Sequence, residues 1–318
     1  MTDPIYNLYP EIEPYQSGWL NTSETHQIYY EQSGNPTGQA VVFLHGGPGS
    51  GCNPNQRRFF DPAHYRIILF DQRGCGRSKP LGCIEENSTQ ELVSDIEALR
   101  IHLNIEKWLI FGGSWGSTLA IAYALAHTSK VTGLILRGIF LSRPTELNWF
   151  LHEVQYFYPE AWERLVEFIE PSERVDILKA YSKRIFSEDK AINISAAIHW
   201  NAYESGIMTL RPSTGKNSNP VSDEIQLARA RVQLHYILNA CFVSGRDLLK
   251  EVAVLGQIPT TIIQGRYDMV CPPITAWELK RAMPHASIQM IDDAGHSAME
   301  PGTTSALVEA TEKFKRFA

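Results

Sequence analysis

The chain alternates short apolar runs with segments whose apolar residues recur at helical spacing. "HQIYYEQSG" (26–34), "AVVFLHG" (40–46) and "RIILFDQ" (66–72) read as strands, each rich in β-branched or aromatic residues and bounded by turn formers. In "STQELVSDIEALRIHL" (88–103), Leu92, Val93, Ile96, Leu99 and Leu103 recur at the spacing of one helical face. Ser88 and Glu91 at its start have the spacing of a capping box. "KWLIFGG" (107–113) predicts a strand, "STLAIAYALAH" (117–127) a helix and "VTGLILRGIF" (131–140) a further strand. The strand pattern returns at "IPTTIIQG" (258–265) and "ASIQMID" (286–292), and "TTSALVEATEKFKRF" closes the chain as a helix. Strands alternating with helices of this length predict a mostly parallel sheet flanked by helices, an α/β fold.

The pattern changes after Phe140. From 141 to 245, Trp, Tyr, Glu and Arg fall at helical spacing with no buried strand among them, and "RPSTGKNSNP" (211–220) reads as a polar loop. The economical organisation is an α/β core of residues 1–140 and 246–318, with a helical cap, 141–245, inserted after a core strand. Composition agrees: 43% hydrophobic and 20% charged residues over 318 positions are ordinary for a soluble globular chain with a substantial core. A net charge of -6 without a basic stripe gives no reason to expect nucleic acid. The five cysteines (52, 75, 83, 241, 271) are odd in number and lack C-x-x-C spacing, which argues for a reducing compartment and against a disulfide framework or zinc site. "MTDPIYNLYPEIEP" lacks the basic and apolar regions of a signal peptide, and no apolar run approaches the roughly 20 residues that span a membrane. A cytoplasmic protein with no membrane partner is expected; its oligomeric state is not readable.

Candidate chemistry enters at "FGGSWGS" (111–117), which fits G-x-S-x-G with Ser114 at its centre, between a predicted strand and a predicted helix. A nucleophile elbow needs that context, because small flanking residues permit the strained strand-to-helix turn that lifts the hydroxyl clear of the sheet. A bare G-x-S-x-G is common by chance and reads equally as a Gly-rich turn; position decides for the nucleophile. A hydroxyl needs a general base held by a third group, and in this architecture the order is Ser, acid, His. Asp268 in "IIQGRYDMVCP" and His296 in "MIDDAGHSAMEP" follow strand ends in that order. Asp292 and Asp293 are rival acids, placed in the turn that presents His296. The Gly-Pro run "VVFLHGGPGSG" (41–51) then has a purpose. With Trp115, the residue after the nucleophile, Gly47 supplies the second N–H of an oxyanion hole. A phosphate loop is excluded, since G-x-x-x-x-G-K-[ST] is absent. No cofactor and no metal are called for.

Together, "HGGPGSG", "DQRGCGRS" (71–78), "GGSWGS", "LRGIF" (136–140), "GRYDMVCP" (265–272) and "AGHS" (294–297) resemble the motif set of the prolyl iminopeptidases over nearly the whole chain. These are α/β-hydrolase-fold serine peptidases that release N-terminal proline. The resemblance implies Ser114, Asp268 and His296 as a triad, the helical insertion as a cap, and small peptides with N-terminal proline as substrates. It also implies two acidic cap residues that hold the substrate's cationic nitrogen. The first falls on Glu204 in "HWNAYES". The second falls on Gln233 in "ARVQLHY" (230–236), a departure that removes one charge but leaves an amide carbonyl to accept from a proline N–H. Phe140, Trp149, Phe150 and Tyr203 are candidates for the proline-ring pocket, although aromatics at helical spacing are more often core. Asp71 and Arg73 are assigned to organising the loop beside the elbow.

The motifs leave rivals open, because fold does not fix function. A broader aminopeptidase, a carboxylesterase or a lactonase would use the same triad. A non-catalytic receptor on a hydrolase fold would not need it complete.

Overall fold

The computed structural model describes residues 5–211, 221–243 and 247–317. Most of the "RPSTGKNSNP" segment and the expected cap boundary at 245/246 therefore lie outside the described residues. Eight strands form one sheet: β1 (Gln16–Asn21), β2 (Gln27–Gly34), β3 (Gln39–Leu44), β4 (Tyr65–Phe70), β5 (Trp108–Gly113), β6 (Val131–Arg137), β7 (Thr260–Gly265) and β8 (Ser287–Ile291). Their order is β1-β2-β4-β3-β5-β6-β7-β8. β1 pairs antiparallel with β2 and β2 antiparallel with β4, while every later pairing is parallel.

The two-residue period explains the layers. In β3, Val42 and Leu44 join one buried cluster with Leu92, Ile96 and Leu99 of α1 (Thr89–His102) and Leu119 and Ile121 of α2 (Trp115–Ala126). Val41 and Phe43 point the other way, into a second cluster containing Leu307 and Phe314. Ser88 caps α1 by accepting from the Glu91 amide at 3.4 Å. The full capping box does not form, because the Glu91 carboxylate takes the Ser88 hydroxyl itself.

Between β6 and β7 the described residues hold α3 (Pro144–Leu151), α4 (Pro159–Glu167), α5 (Ile177–Ile185), α6 (Lys190–Gly206), α7 (Asp223–Leu238) and α8 (Leu248–Glu251). α3 to α7 bury a cluster of their own, including Leu165, Tyr181, Trp200 and Leu234. α9 (Pro273–Ala282) and α10 (Pro301–Phe314) flank the last two strands. The aromatic spacing of the insertion is thus mostly core, as the amphipathic stripe of each helix requires. Among the described residues, no helix is long and apolar enough to cross a membrane.

Candidate active site

β5 runs directly into α2 through Ser114, whose backbone sits at φ 58, ψ −129. A non-glycine residue in that region is strained, and the surrounding packing holds it there. The flanking glycines show how. A Cβ on Gly112 would lie 2.2 Å from the Gly116 carbonyl oxygen, and one on Gly116 would lie 2.1 Å from that of Leu44. The helix therefore presses on the sheet at a distance that only these residues allow. Ser114 is left at the helix N-terminus, beside amides with no intrahelical partner.

Asp268 and His296 meet beneath the same end of the sheet. His296 Nδ1 donates to Asp268 Oδ2 at 2.7 Å, with both side chains almost fully buried. The carboxylate also accepts from Gln264 Nε2 at 3.1 Å and from the amides of Val270 and Cys271 at 3.0 and 2.7 Å. Asp292 and Asp293 are exposed, and Asp292 pairs with Arg266. The other face of the imidazole meets Arg137 Nη1, 3.2 Å from Nε2, which also donates to the His296 carbonyl at 2.8 Å. A guanidinium only donates, so Nε2 is the unprotonated nitrogen, as a general base requires, and its lone pair must leave Arg137 to take a proton from Ser114. Burial lowers the Arg137 pKa. Among the described residues no hydrogen bond joins Ser114 Oγ to His296 Nε2, and Cys271 lines the same cavity as Ser114. Hydrogen bonds of this kind commonly close only when substrate arrives. Burial pushes the Cys271 thiol well above its ordinary range.

One side chain props both sides of the Gly-rich loop. Gln72 donates from Nε2 to the His45 carbonyl at 2.9 Å and accepts from Trp115 Nε1 at 2.9 Å. Its backbone amide donates to His45 Nε2 at 3.0 Å, so the proton on that buried imidazole sits on Nδ1, facing the Gly46 carbonyl. The amides of Gly47 and Trp115 are thereby carried on braced backbone next to Ser114. Asp71 and Arg73 do organise the adjoining loop. Asp71 accepts from the Cys52 and Arg77 amides at 2.6 and 2.8 Å, and Arg73 forms a two-pronged pair with Asp95 at 2.7 Å on each arm.

Beside Ser114 lies a largely apolar cavity walled by Phe140, Leu147, Phe150, Ile237, Val270 and Cys271, with Gly47, Glu146, Glu204 and Gln233 supplying its polar lining. Two expected ring-pocket residues do not reach it. The Trp149 indole donates to the Met269 carbonyl at 2.8 Å and packs on Phe157, while Tyr203 is buried in the helical cluster with its hydroxyl on the Phe150 carbonyl. Both aromatics complete packing first, as their size favours.

Gln233 also differs from expectation. Its carbonyl oxygen accepts from Trp200 Nε1 at 2.6 Å, and its amide nitrogen donates to Glu204 Oε1 at 3.0 Å and to the Gly47 carbonyl at 2.9 Å. An indole N–H only donates and a main-chain carbonyl only accepts, so the amide has one orientation. Its carbonyl already accepts from Trp200, and its nitrogen, which only donates, is the atom turned toward Glu204. The second Glu204 oxygen is held by Arg229 Nη2 at 2.6 Å. Sequence reasoning passed over Arg229, Gln72 and Arg137. Arg229 is four residues before Gln233 in one helix, a spacing that puts both on one face. Arg137 is a lone charge at the end of an apolar strand run.

An α/β hydrolase fold model matches residues 39–303. A proline iminopeptidase of Arabidopsis thaliana is 51% identical over 97% of this chain and 82% of its own length. That of Xylella fastidiosa is 47% identical over 96% of this chain and 99% of its own. The chain belongs to the proline iminopeptidase family. The family resemblance in its motifs is borne out, and so is the α/β-hydrolase fold. Among solved structures, a proline iminopeptidase-related protein of Thermus thermophilus superposes with TM-score 0.55 at 22% identity, covering 95% of this chain and 96% of that one. An esterase from Exiguobacterium antarcticum gives 0.57 at 20% identity over 94% and 98%. At such identities the structural likeness speaks to the fold alone.

Proposed function

We propose that this prolyl aminopeptidase releases N-terminal proline from small peptides by acyl transfer through Ser114. The observation that carries the mechanism is the 2.7 Å Asp268–His296 bond beside a strained Ser114, at a cavity whose polar lining includes the carboxylate of Glu204. Ser114 Oγ attacks the prolyl carbonyl carbon as His296 Nε2 removes its proton, and Asp268 stabilises the imidazolium. The oxyanion is received by the amides of Gly47 and Trp115. The imidazolium then protonates the departing amine, and water activated by the same nitrogen frees proline from the acyl-enzyme. Residues 141–245 act as a cap, bringing Phe150 against the ring and Glu204 to the cationic nitrogen. Replacing Glu204 by Gln should lower kcat/KM on a prolyl arylamide about ten- to a hundredfold, the worth of a charge-assisted hydrogen bond of roughly 1.5–3 kcal/mol. Unchanged kinetics would remove Glu204 from the amine site.

A second reading, a broader aminopeptidase, is favoured by Arg229 and Gln233, which already occupy both Glu204 oxygens. Its signature is comparable kcat/KM on prolyl and alanyl arylamides. The Gln233→Glu variant probes the same point. It sets a second carboxylate against Glu204, which costs stability unless a cation bridges them. The ratio of kcat/KM for prolyl arylamide over a neutral ester should rise, and the substrate-free protein should melt earlier. A ratio that stays level places the amine elsewhere.

Cys271 lines the cavity together with Ser114, so an adduct on its sulfur would block the site. A mercurial is expected to inhibit the parent and spare Cys271→Ser. Equal inhibition of both would move the sensitive thiol to another position.

A further inference from the structure

The helix that carries Glu204 also leads to the loop that carries His296. α6 ends at Gly206, and the chain beyond it lies along residues 295–297. The Met208 carbonyl accepts from the amides of both His296 and Ser297, at 2.9 Å each. Glu300 closes the joint from the other side. Its Oε1 accepts from the Leu210 amide at 2.8 Å and its Oε2 from the Gly295 amide at 2.9 Å. The approach is intimate: a Cβ on Gly295 would stand 2.8 Å from the Leu210 nitrogen. Four N–H groups of irregular backbone thus find their partners across this joint rather than in a helix or strand.

We infer that Glu300 is a positioning residue for the base, clamping the His296 loop to the end of the amine-anchor helix. The inference rests on the proposed role of His296. The ring has two other fixed points, Asp268 at Nδ1 and Arg137 at Nε2; Arg137 also donates to the His296 carbonyl, but neither side chain holds the backbone amides of residues 295–297. The clamp does. A displacement of about 1 Å at a reacting group is enough to cost on the order of a hundredfold in rate. Glu300 touches no reacting atom; it acts through the 295–297 backbone. The insertion is accordingly part of the support of the base, and Glu204 stands four residues before the carbonyl that holds it.

Glu300→Gln tests this at unchanged size. The amide nitrogen must face one of the two backbone N–H groups, so one arm of the clamp is lost. On the prolyl arylamide, kcat should fall about tenfold or more while KM stays within about twofold. Labelling of Ser114 by a neutral fluorophosphonate, which has no amine to anchor, should slow in parallel. Glu300→Asp keeps a carboxylate on a shorter arm and should recover part of the loss; it is read in the same way if the amide variant does not fold. A lowered melting temperature with unchanged kcat and labelling would make the clamp merely structural and overturn the inference. So would a loss confined to KM, or to the arylamide without the probe. His296→Ala serves as control. Undiminished labelling in that variant overturns the base assignment and the inference with it, whereas fast labelling that depends on His296 but not on Glu300 overturns the clamp alone.

Discussion

Ser114→Ala should abolish prolyl arylamide hydrolysis, with kcat falling by roughly 10⁴- to 10⁶-fold, while circular dichroism and melting temperature stay close to the parent. The magnitude follows from the way triad members act as a unit, leaving only binding and oxyanion contacts behind. The fold should survive because Ser114 lines a cavity, where its hydroxyl contributes little packing, and alanine meets the same φ 58 penalty as serine. His296→Ala is expected to match it. A variant of either kind with near-parental kcat would dissolve the triad.

Asp268→Asn should cost about 10⁴-fold in kcat with little change in KM. Asp268 is buried and accepts from four donors, two of them amides of its own turn. An asparagine fits the space. Its amide nitrogen, however, must face either those main-chain donors or His296 Nδ1. In the second case the imidazole turns its proton to Nε2, where Arg137 already points a donor 3.2 Å away. The base would then have no lone pair for Ser114. If Asp268→Asn kept a tenth of the parental kcat, the 2.7 Å contact would be structural and another acid would serve.

How far the sequence could be read depends on the range of the interactions. Strands buried on both faces, such as β3 and β5, announce themselves as continuous apolar runs. β1 does not: Gln16–Asn21 is an exposed edge whose pattern lacks a buried face, and it is held by pairing with β2. The elbow was legible because Gly112, Ser114 and Gly116 are neighbours in sequence. Asp268 and His296 were legible through order and strand ends. The orientation of Gln233 was not, since it is set by Trp200, 33 positions earlier on another helix. Trp149 and Tyr203 misled for a related reason. Aromatic spacing says that a residue is buried, not whether its ring meets a cavity or a neighbouring helix. Glu300 leaves no periodic trace at all, because it serves two backbone amides from separate segments.

The central claim is that Ser114 acylates on a prolyl group whose free nitrogen is held by the cap. It is tested most directly by comparing kcat/KM on L-prolyl and N-acetyl-L-prolyl arylamides, with Ser114→Ala as the blank. Acetylation removes the charge that Glu204 would hold and adds bulk at the amine end of the cavity. The free-amine substrate should be cleaved readily, acetylation should cost at least about a hundredfold, and Ser114→Ala should show no cleavage above background. Equal cleavage of the two substrates, or cleavage that persists without the Ser114 hydroxyl, would contradict the central claim.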